Sequence, residues 1–312
     1  MNKVIVVTGQ TATGKTRLAL TYAAHNNGEL INCDARQIYK YLDIVTGKDL
    51  TDHTFYPVDI SLPFSVGYYR LEDTNIWLYD IAEPSQYFSS HAYARLASNV
   101  VARVLAAGKT PIIIGGSYFY LKHLLYGDSF SEKSHDPILR NQLSAMTLEE
   151  LSSYLIKLNP AMYESMNNSD RNNSRRLIRR IERVMSGTTR DVFENGYTYT
   201  LEKKLGHDAL DIEYIGLRHE HREQLTDTII KRVDNRLKEG AIEEVQRLIE
   251  KGYTLSDPGM KTIGCLQLYK HLREGMSLEK ARNEWILREV QYAKRQYTFM
   301  KQDPHIEWRI TA

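Results

Sequence analysis

Residues Val4–Leu20, VIVVTGQTATGKTRLAL, decide how this chain folds. Val4–Val7 is a short apolar, β-prone run. The chain then turns through Gly9 to Gly14 and enters a helix at Lys15. Gly9, Gly14, Lys15 and Thr16 meet the spacing G-x-x-x-x-G-K-[ST]. Glycines let such a loop curl so that successive backbone N–H groups point at phosphate oxygens. Gln10, Thr11, Ala12 and Thr13 supply those amides, and the helix behind them adds a partial positive charge. Lys15 is placed for an outer phosphate and the Thr16 hydroxyl for Mg²⁺. A phosphorylated ligand is therefore expected. The loop alone does not say whether it is a nucleotide.

Outward from the loop, the chain reads as α/β. A parallel sheet of P-loop NTPase type is expected, flanked by helices. Helix Lys15–Asn26 buries Leu18, Ala19, Tyr22 and Ala23 on one face. Glu29–Cys33 is a second strand, delivering Asp34 at its carboxyl end. In open parallel sheets that end faces the ligand crevice. A carboxylate beside the phosphate loop can hold Mg²⁺ or take a proton; a turn cap is the plainer alternative. Residues 50–76 read as loop with some β-hairpin, and Ile76–Ile81 as a strand. His91–Ala107 is an amphipathic helix. Pro111–Ile114 is an apolar strand of the buried parallel type. It runs into Gly115-Gly116-Ser117, a turn that permits close ligand approach and presents a hydroxyl.

From Gly127 the pattern changes to helix, with a capping box at Thr147-x-x-Glu150. Residues 127–200 read as a helical insertion, and 1–126 with 201–312 as the core. Ile212–Leu217 returns as a strand. Helices over Arg222–Lys238, Ala241–Lys251, Thr262–Arg273 and Leu278–Met300 follow, then a short strand near His305–Ile310. Six arginines fall between Arg171 and Arg183. Such a face suits phosphate contacts, although charge runs are usually solvated faces. In the last helix Arg288, Gln291 and Arg295 form a second basic stripe.

Composition adds bounds. The 312 residues carry a net charge of +2, too little by itself to argue for nucleic acid. Two cysteines, Cys33 and Cys265, suit a reducing compartment, and the histidines show no zinc spacing. No apolar run approaches the ~20 residues of a membrane span. A cytoplasmic protein without membrane contact is expected.

Several stretches occur in the order of one family. GQTATGKT (Gly9–Thr16), CDARQIYKYLDIVTGK (Cys33–Lys48), GGSYFY (Gly115–Tyr120), RRLIRRIE (Arg175–Glu182), RVDNRLKEGAIEEV (Arg232–Val245), Ile263-Gly264 and AKRQ (Ala293–Gln296) resemble the tRNA dimethylallyltransferases over nearly the whole chain. The resemblance implies transfer of a dimethylallyl group from dimethylallyl diphosphate to N6 of the adenosine 3′-adjacent to the anticodon, with Mg²⁺. It implies that Lys15, Thr16 and the loop hold the diphosphate and that Asp34 takes the amine proton. Ser117, where the family usually has Thr, would place the reacting groups, and Arg222 would add a diphosphate contact. It also implies tRNA contacts for Asp34, Ala35, Arg36, Gln37, Ser117, Arg140, Arg175, Arg176, Leu177, Ile178, Arg179 and the run Lys261, Thr262, Ile263, Gly264, Cys265 and Leu266. A monomer is expected. The target base would leave its stack to be modified.

Departures from the family pattern are Gln10 for Pro, Asn173-Ser174 for Asp-Pro, Cys265 for Tyr, Glu289-Val290 for Thr-Arg and Phe299 for Trp. The chain ends at Ala312 without the zinc-finger extension of eukaryotic relatives, which suggests a bacterial relative. Free adenine nucleotides as prenyl acceptors, or a P-loop kinase, are the competing readings. The first does not need the helical insertion, and no second Asp motif after a later apolar strand supports the kinase.

Overall fold

The computed structural model describes residues 2–50, 52–61, 63–127, 136–187, 197–206 and 209–311. Parts of the expected insertion, 128–135 and 188–196, lie outside the described residues. The chain divides into two compact units, Met1–Tyr126 with Tyr197–Ala312, and Gly127–Gly196.

The first unit is built on an eight-stranded sheet. Its strands are β1 (Asn2–Gly9), β2 (Gly28–Asn32), β3 (Tyr56–Ser61), β4 (Phe64–Leu71), β5 (Thr74–Trp77), β6 (Thr110–Ile114), β7 (Leu210–His219) and β8 (Glu307–Thr311), in the order β3-β4-β5-β2-β6-β1-β7-β8. From β5 to β8 every pairing is parallel; β3 and β4 are antiparallel additions. Val4–Val7 are fully buried, as is expected of a central strand covered on both faces.

Helices α1 (Lys15–Asn26), α2 (Asp43–Thr46), α3 (Ser90–Ala106) and α4 (Tyr118–Tyr126) belong to this unit. The second unit holds α5 (Pro137–Ser144), α6 (Leu148–Leu158), α7 (Pro160–Glu164), α8 (Asn168–Arg171) and α9 (Ser174–Met185). The chain then returns to the first unit with α10 (Leu201–Leu205), α11 (Arg222–Lys238), α12 (Ala241–Glu250), α13 (Cys265–Glu274) and α14 (Leu278–Met300).

Three readings change. Residues 56–77 are not mostly loop but a three-stranded antiparallel ribbon continuing the sheet. The strand expected over Ile76–Ile81 stops at Trp77, because Leu78 and Asp80 take left-handed backbone (φ 66° and 55°). That turn buries Asp80 against the Lys48 ammonium and accepts the Tyr69 hydroxyl at 2.6 Å. The helix expected from Thr262 starts at Cys265, after Gly264 at φ 95°. A Cβ on Gly264 would lie 2.6 Å from the Trp285 ring, so glycine is required by packing as well as by φ.

Carboxylates fix the ends of elements, one of them buried. Glu244 of α12 accepts the backbone N–H groups of Asp43, Ile44 and Val45 at 2.8–2.9 Å, capping α2 where the helix dipole favours an anion. In the second unit, the capping box of Thr147 and Glu150 opens α6. Leu143, Leu151, Leu155, Leu177, Ile178 and Ile181 form that unit's own core.

Candidate active site

Three chain segments converge at the carboxyl end of the sheet. The first is the loop between β1 and α1. Gly9 has φ 129°, and a Cβ there would lie 2.0 Å from the Leu217 carbonyl oxygen of β7. Only glycine lets the loop leave β1 so close to its neighbour. Lys15 Nζ donates to the Gln10 carbonyl at 2.5 Å, folding the lysine over the loop. Burial, and then the neighbouring Arg232 guanidinium, lower the Lys15 pKa to about 7. Gln10 turns its own side chain away from the loop. Its amide donates to the Ala293 carbonyl at 3.4 Å and accepts the His219 N–H at 3.1 Å.

The second segment follows β2. The sequence reading puts Asp34 on the strand beside the loop, but β6 lies between β1 and β2. The gap is closed by the turn after β6. Ser117 Oγ accepts the Ala35 N–H at 2.8 Å, and Ser117 N donates to the Cys33 carbonyl at 3.1 Å. Gly115 permits this approach: a Cβ on it would lie 2.1 Å from the Cys33 carbonyl oxygen. Asp34 Oδ1 accepts the Arg36 N–H at 2.9 Å and Arg36 Nε at 3.4 Å. Burial alone would raise the Asp34 pKa. The Arg36 charge, its two hydrogen bonds and the Lys15 charge outweigh burial and hold the carboxyl below its ordinary range.

The third segment is α14, with α11 beside it. Gln296 Oε1 accepts the Thr11 N–H at 2.8 Å, and its Nε2 donates to the Gly116 carbonyl at 3.0 Å. One side chain thus ties the phosphate loop to the β6 turn. About two turns toward the N-terminus of the helix, Glu289 accepts Arg36 Nη1 at 2.8 Å and lies 3.8 Å from Arg236 Nη1. Arg232 donates to Thr11 Oγ1 at 3.2 Å.

Together these segments line a cleft of about 290 Å³ that includes Thr11–Arg17, Asp34, Arg36, Gln37, Asp49, Tyr79, Arg232 and Gln296. The phosphate loop and Asp34 therefore face the same space. A bound anion and a carboxylate base acting on its partner are both accommodated.

Several expected residues lie elsewhere. Arg222 is exposed at the start of α11 and does not line the cleft; Arg232, almost three turns later, does. Leu177 and Ile178, 0% and 6% exposed, pack in the helical core and offer no side-chain surface to a ligand. Thr262, Gly264 and Cys265 are likewise buried. The Arg36 guanidinium is 8% exposed and already engaged by Asp34 and Glu289. Arg175 and Arg176 are exposed, with Arg176 paired to Asp170; Arg140 and Arg179 lie 3.4 and 3.5 Å from Glu182. Lys261 is exposed, and Ile263 and Leu266 are half-buried. The α14 arginines Arg288 and Arg295 are solvated.

Sequence reasoning misses Arg232 and Gln296 in the cleft, and Glu289 behind it. Gln296 closes the AKRQ run, and its burial beside Ala293 and Met300 at helical spacing was the available signal.

Known proteins resemble this chain over nearly its whole length. The model of the IPP transferase family matches residues 37–303. The tRNA dimethylallyltransferase of Acetivibrio thermocellus is 33% identical over 310 residues, covering 99% of this chain and 91% of the relative. That of Anoxybacillus flavithermus is 32% identical over 307 residues, covering 98% and 89%. The crystal structure of the full-length tRNA isopentenylpyrophosphate transferase from Bacillus halodurans superposes with a TM-score of 0.68 at 26% identity, covering 100% of this chain and 90% of that one. A eukaryotic dimethylallyltransferase acting on tRNA shares the fold, with a TM-score of 0.76 at 23% identity, covering 99% and 74%. The cleft, the phosphate loop and near-full-length similarity converge: the chain belongs to the tRNA dimethylallyltransferase family of IPP transferases.

Proposed function

We propose that this protein transfers the dimethylallyl group of dimethylallyl diphosphate to N6 of the adenosine 3′-adjacent to the anticodon in tRNA. The N6 lone pair attacks the allylic carbon, and the carbon–oxygen bond breaks. Diphosphate leaves with the bonding electrons, and the N6 proton passes to Asp34. The observation that carries this reading is the shared cleft: phosphate loop and ionised carboxylate face one space. A low carboxylate pKa is compatible with the task. An aromatic amine holds its proton tightly until the new carbon–nitrogen bond forms, after which a weak base suffices.

The Gln10 N–H donates to the Leu217 carbonyl and the Thr11 N–H to Gln296 Oε1, so the expected contacts from those two amides are taken up within the fold. The leaving diphosphate is met instead by the loop amides from Ala12 to Gly14, by Lys15 and by Arg232. Charge that develops on it during bond breaking is thereby stabilised by groups already in place. Mg²⁺ fits the donor set. Thr16 lines the cleft, and no cluster of three His, Cys, Asp or Glu able to hold a metal occurs among the described residues. The Thr16 hydroxyl is the side-chain oxygen that would hold a hard cation here. When bound, it supplies further neutralisation of the leaving group. Ser117 positions Asp34 through the Ala35 amide rather than by touching the reactants.

The tRNA acceptor is supported by the separate helical unit, whose Arg175, Arg176, Arg179 and Arg140 offer phosphate contacts. Gln37, Lys261, Ile263 and Leu266 add candidate contacts on the core. A prenyltransferase of free nucleotides or a P-loop kinase would leave that unit without a task. The protein acts as a cytoplasmic monomer in this reading; no helix among the described residues is long and apolar enough to cross a membrane. The test is an acceptor comparison with radiolabelled dimethylallyl diphosphate. Label should enter unmodified tRNA bearing adenosine after the anticodon, and not AMP. Label in AMP but not in tRNA would refute the assignment.

A further inference from the structure

The charges behind the cleft form a chain. Asp34, Arg36, Glu289 and Arg236 succeed one another, with Lys15 and Arg232 on the cleft side. Glu289 is 3% exposed, deeper than a carboxylate sits without purpose. Its Oε1 accepts Arg36 Nη1 at 2.8 Å, while its Oε2 and Arg236 Nη2 find no partner. Burial would raise the Glu289 pKa, but Arg36, Arg236 and Arg232 keep it ionised below the ordinary value. Burial and Arg232 lower the Arg236 pKa to about 9, and Glu289 opposes that shift.

The consequence lies at Asp34. Arg36 reaches it only through Nε and its backbone N–H, both on Oδ1. Its Nη1 is turned to Glu289 instead. A guanidinium left to itself prefers a bidentate, fork-to-fork grip on a carboxylate. That grip would occupy both Asp34 oxygens. Other ionisable groups near this pair are Lys15 from α1, Arg232 and Arg236 from α11, Tyr292 from α14, Tyr79 from the turn after β5, and Cys33. Tyr292 also stacks on the Arg36 guanidinium at 4.8 Å, which limits its swing on one side only.

We infer that Glu289 is a positioning residue for the transfer: by holding Nη1 of Arg36, it keeps Arg36 side-on to Oδ1 and leaves Oδ2 of Asp34 open to take the acceptor proton. This rests on the reading of Asp34 as the base. The residue acts through Arg36 and touches neither substrate.

The test is a double-mutant cycle in single-turnover transfer from dimethylallyl diphosphate to tRNA. Glu289→Gln keeps the shape and removes the charge. It should slow transfer about tenfold, a part of the 10²–10⁴-fold that proton transfer contributes, while the KM for the donor stays within twofold. In an Asp34→Asn background the same change should cost nothing further, because the group it serves is gone. Glu289→Asp, which keeps the charge beside Arg36 and Arg236, should restore the rate to within about threefold of native. Native rate in Glu289→Gln overturns the inference. So does an equal loss in both backgrounds, or an Asp variant as slow as the Gln variant. Full transfer by Asp34→Asn alone would instead overturn the reading of Asp34 as the base, so the two failures are told apart.

Discussion

Gln296 is the side chain whose loss should be felt in two measurements at once. It is almost fully buried and bonds Thr11 N–H and the Gly116 carbonyl, joining residues 285 and 180 positions away. Gln296→Ala removes both bonds and leaves two backbone groups without partners. Each orphaned group costs about 1–3 kcal/mol, so a loss near 3 kcal/mol is expected after partial rehydration from the cleft. At about 2 °C per kcal/mol for a chain of this size, the melting midpoint should fall about 6 °C. The Thr11 amide belongs to the phosphate loop, so part of the loss should appear in donor binding. If half is expressed there, the KM for dimethylallyl diphosphate rises about tenfold, since 1.4 kcal/mol is a factor of ten. Differential scanning calorimetry and steady-state kinetics read the two effects. Gly116→Ala is an independent route to the same damage, because its Cβ would lie 2.0 Å from Gln296 Nε2. A Gln296→Ala protein that melts within 1–2 °C of native, with an unchanged donor KM, would refute the clamp.

Arg232→Ala should raise the donor KM and lower the transfer rate, together costing at least about tenfold in kcat/KM, whereas Arg222→Ala should leave both within twofold; the reverse ranking would return the diphosphate contact to Arg222. Arg175→Ala combined with Arg176→Ala should weaken tRNA binding several-fold at low salt and flatten its salt dependence by up to about two units of slope, with the donor KM unchanged; fluorescence titration at several salt concentrations reads this. Because the Arg36 and Lys15 charges hold Asp34 below the ordinary carboxylate value of 3.8, transfer should show no acid limb between about pH 5 and 7. The sign follows from the required form: a depressed pKa keeps the base ionised to lower pH. A half-maximal rate near pH 6 would show that another group controls the step.

The phosphate loop, the strand before it and Asp34 were legible because each is written locally. A strand–glycine–helix order, or an acidic residue after an apolar run, needs no knowledge of the rest of the chain. The helical stretch after Gly127 was visible for the same reason, through its capping box and the loss of strand periodicity. The cleft's far wall was not. Arg232 and Gln296 reach it, with Glu289 behind them, from helices two hundred or more residues downstream of the loop, and only tertiary packing says which turn of α11 or α14 faces inward. The resemblance points to Arg222, and nothing local in the sequence marks Arg232. The arginine helix misled in a different way. A run matched to a family carries its apolar residues with it, and Leu177 and Ile178 turn out to pack the helical unit's core. Two departures from the family pattern have structural roles that the sequence does not show: Glu289 holds a buried arginine, and Gln10 braces the loop against α14 and β7.

The central claim is that one cleft expels diphosphate and deprotonates an adenine amine through Asp34. It is tested most directly by single-turnover transfer of radiolabelled dimethylallyl groups to unmodified tRNA, comparing native protein with Asp34→Asn. The account predicts N6-dimethylallyladenosine beside the anticodon with native protein. It predicts a transfer rate lower by about 10² or more for the variant, with donor binding retained. Equal rates for the two proteins would contradict it.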